Sequence, residues 1–208
     1  MAHPELLIPF ISYAVATTFT PGPNNASASS SGMQHGFRKT LPYLIGISIG
    51  FFAILAACGL LLEFILQIYE KISPVLKWIG ALYMLWLAAM PFIPHKETGR
   101  KSEKDINKKG ILTSYTLFNG MVLQLVNMKV ILYGITLYSS FSLFIGESAP
   151  AVLISALFLT IMGFGSIALW TFIGSTFSNY FKNRTFYLTF NAVMSLMLVY
   201  SAISILQH

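Results

Sequence analysis

Apolar residues dominate this chain in long segments that are separated by short polar gaps. Six segments can be traced, over approximately residues 6–32, 41–62, 74–93, 116–145, 150–177 and 186–206. A helix needs about 20 residues to cross a hydrocarbon core of roughly 30 Å, and each segment reaches that length. The pattern predicts an all-α polytopic membrane protein with six transmembrane helices.

The first segment is interrupted near its middle by Thr20-Pro21-Gly22-Pro23-Asn24-Asn25. As a helix, the apolar run before this point covers only about 21 Å, so the segment must continue beyond the interruption to span the membrane. The two prolines lack amide donors and break the helical hydrogen bonds. Broken backbone at membrane depth lies against protein or a cavity, and transporters bind their cargo at such breaks. These six residues are therefore candidate substrate-binding residues.

A second interruption, Gln124-Leu125-Val126-Asn127-Met128-Lys129, lies in the fourth segment. A charged stretch over residues 94–111 separates two sets of three spans, residues 1–93 and 112–208. Because three is an odd number, equivalent spans of the two halves cross in opposite senses, as in the inverted repeats of many secondary transporters. The first helix of each half is then interrupted, and Gln124, Asn127 and Lys129 join the candidate site.

The composition fits a membrane protein, because 10% of the residues are charged and 55% are hydrophobic, whereas soluble domains carry about 25% charged residues. The net charge of +6 does not indicate nucleic acid, since the basic residues lie in short gaps between apolar segments. The gaps after the first, third and fifth segments hold 10 of the 13 lysines and arginines, and the opposite side holds only Lys71 and Lys77. This bias predicts that both termini lie outside and that the loop over residues 94–111 is cytoplasmic.

The chemistry of the two breaks suits a zwitterion. The half-helix that begins near Asn24 presents unpaired amides and a positive dipole end, which favour a carboxylate. Carbonyl groups freed near Phe19 and Thr20 suit an ammonium group, and the side-chain amides at both breaks suit either. Ordinary hydrogen bonds between helices are the competing interpretation of these amides, and a kink without a ligand is the competing interpretation of the prolines.

Lys129 is the one charged residue well inside an apolar segment. Ionisable residues in membranes are candidates for function. Its ammonium group is expected to bind a substrate carboxylate, to neutralise the C-terminus of a half-helix, or to carry a proton. Snorkelling of the long side chain to the membrane surface is the alternative without function.

The opening motif resembles a known family. The residues from Thr20 to Asn25, followed by Gly32-Met33-Gln34-His35-Gly36-Phe37-Arg38 and by Gly46 and Gly50, are similar to the signature of the LysE/RhtB amino-acid exporters. The stretch from Gln124 to Gly134 resembles the family's Asn-Pro-Lys region, with Met128 where many relatives have proline. Together with the double asparagine, it is most similar to the cysteine and O-acetylserine exporter branch.

This resemblance implies a secondary transporter of the bacterial inner membrane that exports small neutral amino acids by alternating access, with proton antiport as the implied coupling. Exporters of homoserine and threonine, of leucine or of basic amino acids are the alternatives within the family. The expected partners are the amino-acid substrate and the lipid bilayer, with no nucleic acid and no cofactor. The glycine-rich helix faces also allow a homodimer, which the sequence leaves open.

Other functional classes fit the sequence less well. A metal-cation exporter is expected to have intramembrane carboxylates or a His/Cys cluster, and the four histidines are scattered. A transmembrane thiol reductase needs a cysteine pair, and Cys58 is the single cysteine. An intramembrane serine hydrolase needs a base, and no His or Asp lies in a core segment. Enzymatic activity is therefore not expected, and a purely structural protein would not explain two interrupted spans.

Overall fold

The structure is a computed structural model that describes residues 3–89, 92, 115–177 and 184–207. Within these ranges every regular element is helical, which confirms the all-α class. After a short 3-10 turn at Pro4–Leu6, the helices are α1 (Leu7–Phe19), α2 (Pro23–His35), α3 (Phe37–Leu60), α4 (Leu62–Ala89), α5 (Leu117–Val126), α6 (Met128–Ile145), α7 (Ala149–Thr176) and α8 (Arg184–Gln207). The predicted linker over residues 94–111 lies outside the described residues.

Three of the described helices, α3, α6 and α7, are long and apolar enough to cross a membrane. The polar gap that the sequence suggested between residues 62 and 74 is instead helical and forms the beginning of α4. Residues 62–73 contain no glycine or proline, and they include leucine, glutamate, glutamine and lysine, which favour helices. The charged residues of this stretch therefore belong to a helix rather than to a loop.

The predicted break in the first span is present. α1 ends at Phe19, and α2 begins at Pro23, where proline suits the first helical turn. Between them Gly22 is extended, with φ −163° and ψ −175°, a conformation that any residue adopts. Glycine is needed there because a larger residue would not fit. A Cβ atom would lie 2.8 Å from Cδ and 3.0 Å from Nζ of Lys129.

The second break is shorter than the first. α5 ends at Val126 and α6 begins at Met128, so that Asn127 alone interrupts the helix, with φ −84° and ψ 87°. The Asn127 amide donates to the Gln124 carbonyl at 3.2 Å, and the Asn127 carbonyl accepts from the Val130 amide at 3.0 Å. The second break therefore forms with methionine, and not proline, at position 128.

Glycines bring two pairs of helices into backbone contact. A Cβ atom on Gly32 would overlap the Thr171 carbonyl oxygen between α2 and α7, and a Cβ atom on Gly46 would overlap the Leu117 carbonyl oxygen between α3 and α5. Small residues allow this close approach between membrane helices. The crossings fix α2 and α5, which are the half-helices that adjoin the two breaks.

The main apolar core lies beside the two breaks. Its buried side chains come from α1, α3, α6 and α7 and include Phe10, Phe51, Leu55, Leu137 and Leu159. A separate small core, formed by Ala81, Met84 and Ala202, joins α4 to α8.

Candidate functional site

The two breaks meet through the side chain of Asn24. Its Nδ2 donates to Gln124 Oε1 at 3.0 Å, and Gln124 Nε2 donates back to Asn24 Oδ1 at 3.0 Å. The same oxygen accepts from Asn127 Nδ2 at 2.7 Å. Gln124 and Asn127 are buried. Three of the predicted site residues therefore form one hydrogen-bonded cluster, in which Asn24 joins two residues that lie about 100 positions further along the chain.

Side chains also satisfy the carbonyl groups at the end of α1. Asn25 Nδ2 donates to the carbonyl oxygens of Thr18 and Thr20, each at 3.0 Å. Ser166, on α7, donates from Oγ to the Thr18 carbonyl at 3.0 Å. The Thr20 carbonyl, which the sequence suggested for an ammonium group of the substrate, therefore already has a donor from the protein.

The Lys129 ammonium group reaches the same end of α1. Nζ donates to the Thr20 carbonyl at 2.7 Å and to the Pro21 carbonyl at 3.4 Å. A positive charge at a helix C-terminus interacts favourably with the helix dipole. Of the roles considered for Lys129, the geometry matches neutralisation of a half-helix C-terminus.

A cavity of about 50 Å³ lies beside these clusters, which is room for roughly three to five water molecules. Six of the nine predicted site residues line it: Gly22, Pro23, Asn24, Asn25, Asn127 and Lys129. Thr20, Pro21 and Gln124 do not line the cavity, but each is hydrogen-bonded to a residue that does.

The comparison with protein families matches the model described as LysE type translocator over residues 15–208, which includes both breaks. This chain belongs to the LysE family. The membership predicted from the motifs is thereby confirmed, and so is the membrane class.

Curated relatives cover nearly the whole LysE-family chain. The protein named "Cysteine/O-acetylserine efflux protein" of Escherichia coli (strain K12) is 34% identical over 204 residues, which are 97% of this chain and 98% of that protein. The protein of the same name from Klebsiella pneumoniae subsp. pneumoniae is 33% identical over 202 residues, 97% of each chain. No solved structure matches this chain significantly.

The structure adds polar residues to the site that the sequence did not single out. Thr17, Thr18, Ser48, Tyr133 and Thr160 line the cavity. Each stands within an apolar run, where hydroxyl side chains give no distinct signal. Tyr133 is the exception, because it lies four positions after Lys129 and therefore on the same face of α6.

Aromatic rings close the α1 side of the cavity in this LysE-family protein. Tyr133 stacks between Tyr13 and Phe51, with ring centroids at 5.8 Å and 6.1 Å. Beyond them, Phe10 packs against Phe141 with centroids at 5.6 Å. These contacts join α1 to α3 and α6 in the part of the first span that precedes the break.

A polar cluster lies at the C-terminal end of α2, after the first break. Tyr115 donates from its hydroxyl to Ser30 Oγ at 3.2 Å, and Gln34 Nε2 donates to the same oxygen at 3.0 Å. His35 packs edge-on against Tyr115 with centroids at 5.3 Å. The cavity thus lies between an aromatic layer and a polar layer.

The described residues contain no group of three His, Cys, Asp or Glu side chains that could hold a metal ion. The cavity instead combines one ammonium group with neutral amides and hydroxyls. This set of groups suits a small polar molecule better than a metal ion.

Proposed function

We propose that this chain exports a small neutral amino acid, of the cysteine or O-acetylserine type, from the bacterial cytoplasm. The observation that carries the proposal is the cavity at the meeting point of the two helix breaks, where Lys129 is the one charged residue among the described lining residues. The names of the relatives support the same substrate class. Homoserine and threonine, which are also small and neutral, are the nearest alternatives.

The charge of the cavity favours a zwitterion over a cation. A neutral zwitterion places its carboxylate in the field of the Lys129 ammonium group without adding net charge. A basic amino acid or a divalent cation would bring a further positive charge to a site whose described lining residues include no carboxylate. Like charges in a low-dielectric site repel strongly, which disfavours both of these substrates.

The proposed architecture is six spans in two inverted repeats, residues 1–93 and 112–208. Two glycines support it, because each ends the second half-helix of an interrupted span and precedes a long helix. Gly36, between α2 and α3, has φ 77° and ψ 163°, and Gly146, between α6 and α7, has φ 88° and ψ 155°. These positive φ values favour glycine.

In this architecture the termini lie outside and residues 94–111 are cytoplasmic, as the charge bias indicates. The polar layer around Tyr115 then faces the cytoplasm, and the aromatic layer around Phe10 faces outward. Alternating access would open these two layers in turn around the cavity. Proton antiport is the proposed coupling.

The glycines also bear on the homodimer. Gly46, Gly50 and Gly120, which a dimer interface could have used, contact neighbouring helices of the same chain. Their presence therefore gives no reason to require a second copy, and we propose that a single chain contains a complete transport site.

A flux assay in proteoliposomes tests the function. Uptake of labelled substrate by counterflow should saturate for L-cysteine and should be weaker for L-arginine and for a divalent cation such as Co²⁺. Liposomes without protein give the background. Preferential transport of arginine or Co²⁺ would contradict the proposal.

Thiol labelling in whole cells tests the orientation. In a Cys58→Ser background, Glu147→Cys and His208→Cys should react with a membrane-impermeant reagent added outside. Ser102→Cys should react only after the cells are opened. The reverse pattern would overturn the topology and the inverted repeat together.

A further inference from the structure

We infer that the hydroxyl groups of Thr18 and Tyr133 bind the carboxylate of the transported amino acid, and that the amide oxygen of Asn127 binds its ammonium group. This assignment rests on the proposed function and deepens it. It divides the polar residues of the site into those that contact substrate and those that hold the breaks in place.

Three buried side-chain atoms around the cavity lack a hydrogen-bond partner among the described residues. Thr18 Oγ1, Tyr133 OH and Asn127 Oδ1 are buried and have no hydrogen-bond partner among the residues that the structure describes. Tyr133 is 4% exposed and Asn127 is 1% exposed, and all three residues line the cavity. A buried polar atom without a partner costs about 1–3 kcal/mol, so three such atoms around one cavity favour the binding of a polar ligand that satisfies them.

The side-chain amides and the ammonium group that the sequence singled out already have hydrogen-bond partners within the protein. Asn24 Oδ1 accepts two hydrogen bonds and Asn24 Nδ2 donates one. Asn25 Nδ2 donates two, and Lys129 Nζ donates two. One donor hydrogen remains on Lys129 Nζ and one on Asn24 Nδ2, but the bonds that these groups already make hold the two breaks in place. We therefore assign them to positioning.

The chemistry of each free atom fixes which end of the substrate it binds. Hydroxyl groups can donate to a carboxylate, whereas an amide oxygen can only accept and therefore suits an ammonium group. Thr18 and Tyr133 both line the cavity, and neither hydroxyl has a hydrogen-bond partner among the described residues. Two free hydroxyls on one cavity match the two oxygens of one carboxylate.

The position of Tyr133 also links binding to the aromatic layer. Its ring is stacked between Tyr13 on α1 and Phe51 on α3. A carboxylate held by Thr18 and Tyr133 would therefore connect α1 with α6, which belong to different halves of the chain. Substrate would contact both proposed repeats at once.

The test uses two conservative variants with matched controls. Thr18→Val and Tyr133→Phe should each raise the KM for L-cysteine about tenfold, because one hydrogen bond to a charged group is lost. Ser139→Ala is the control for Thr18→Val, since it also removes one hydroxyl, and Ser139 lies outside the cavity lining and donates to the Thr136 carbonyl of its own helix at 3.2 Å. Tyr138→Phe is the control for Tyr133→Phe, since its hydroxyl bonds Ser155 at 3.1 Å. Both controls should keep the KM within about twofold of the unsubstituted protein.

A substrate analogue identifies the group that is bound. L-cysteinamide lacks the carboxylate, so the ratio of KM values between Tyr133→Phe and the unsubstituted protein should fall from about ten towards one. A ratio that stays near ten with the amide would show that the hydroxyl does not bind the carboxylate, and it would overturn the assignment.

Thermal unfolding in detergent gives a readout that does not depend on transport. Without substrate, Tyr133→Phe should leave Tm unchanged or raise it, because it removes an unsatisfied hydroxyl, whereas Tyr138→Phe should lower Tm. Added L-cysteine should raise the Tm of the unsubstituted protein more than that of Tyr133→Phe.

The outcomes separate this assignment from the proposed function. Normal KM values in Thr18→Val and Tyr133→Phe, with saturable cysteine export retained, would overturn the assigned contacts and leave the export function standing. Absence of saturable export of any neutral amino acid by the unsubstituted protein would instead overturn the proposed function. A destabilised Tyr133→Phe protein with a lowered Tm would contradict the claim that its hydroxyl is unpartnered.

Discussion

The two breaks in this protein reach a similar result by different means. In the first, two prolines flank an extended glycine, and Asn25 and Lys129 satisfy carbonyls at the end of α1. In the second, Asn127 alone interrupts the helix, and its side chain bonds Asn24 of the first break. The first break is encoded locally by residues that cannot continue a helix, whereas the second depends on a partner that the fold brings to it.

The largest expected effect comes from removing the bond between the breaks. Asn24→Leu should destabilise the protein by about 2–6 kcal/mol, because the buried amides of Gln124 and Asn127 lose their partners. Export should fall by about 100-fold or more. Transport in proteoliposomes and Tm in detergent would measure both effects.

Ser27→Ala is the matched control on the same helix. The Ser27 hydroxyl donates at 3.0 Å to the carbonyl of Asn24 on its own helix, so its loss leaves no residue of the second break unsatisfied. If Asn24→Leu were no more harmful than Ser27→Ala, the two breaks would not depend on each other.

The local encoding of the first break predicts the next effect. Replacing Pro21 and Pro23 together with alanine removes the barrier to a continuous helix and should lower export by more than about tenfold, with the protein still inserted in the membrane. Pro42→Ala, inside α3 and away from the cavity, should leave export nearly normal. Normal export by the double variant would show that the prolines serve packing only.

The charge at the end of α1 predicts a smaller loss. Lys129→Gln keeps a hydrogen-bond donor but removes the charge, which is worth about 0.3–2 kcal/mol at a helix C-terminus, so export should fall by about three- to tenfold. Lys129→Arg should retain more activity. Export measured with and without a pH gradient also tests proton transfer, because a proton carrier cannot be replaced by glutamine without loss of the dependence on pH. Unchanged affinity, unchanged pH-driven export and an unchanged Tm would contradict a role of this lysine at the end of α1.

The smallest effect is expected from adding a proline to the second break. Met128 is the first residue of α6, where proline is tolerated, and Asn127 before it is already outside the helical conformation. Met128→Pro should change export by no more than about twofold and should lower Tm no more than Met128→Ala does, because Met128 is buried and both variants remove its side chain. A larger loss of Tm than in Met128→Ala would show that the second break needs the amide at position 128.

The difference between the two breaks explains which site residues could be predicted from the sequence. The break at Pro21 and Pro23 was predictable because proline chemistry acts within one or two residues. Asn24, Asn127 and Lys129 were found because polar residues are rare in apolar spans. Thr18 was not found, because threonine is common in membrane helices. Tyr133 was not singled out although it lies one helical turn after Lys129, and in the structure both residues are distinguished by hydroxyls without a hydrogen-bond partner among the described residues.

Lys129 shows the same limit for the role of a residue. Its charge in an apolar segment identified it as important, but the sequence allowed several roles. The contact with the Thr20 carbonyl selects one of them, and it depends on α6 packing beside the end of α1. Gly22 is a parallel case, since the sequence identified it as part of the break and the structure shows that the Lys129 side chain needs the space.

By itself, the sequence determined that the chain is helical, that the first span is broken and that it resembles the LysE family, because hydropathy, proline geometry and motifs are properties of neighbouring residues. Only the tertiary structure decided that Asn24 joins the two breaks, that Lys129 satisfies the end of α1 and that the hydroxyls of Thr18 and Tyr133 are free. Hydrogen bonds between residues about 100 positions apart depend on helix crossings such as those at Gly32 and Gly46, where distances of a few tenths of an ångström decide which polar atoms meet and which are left for a ligand.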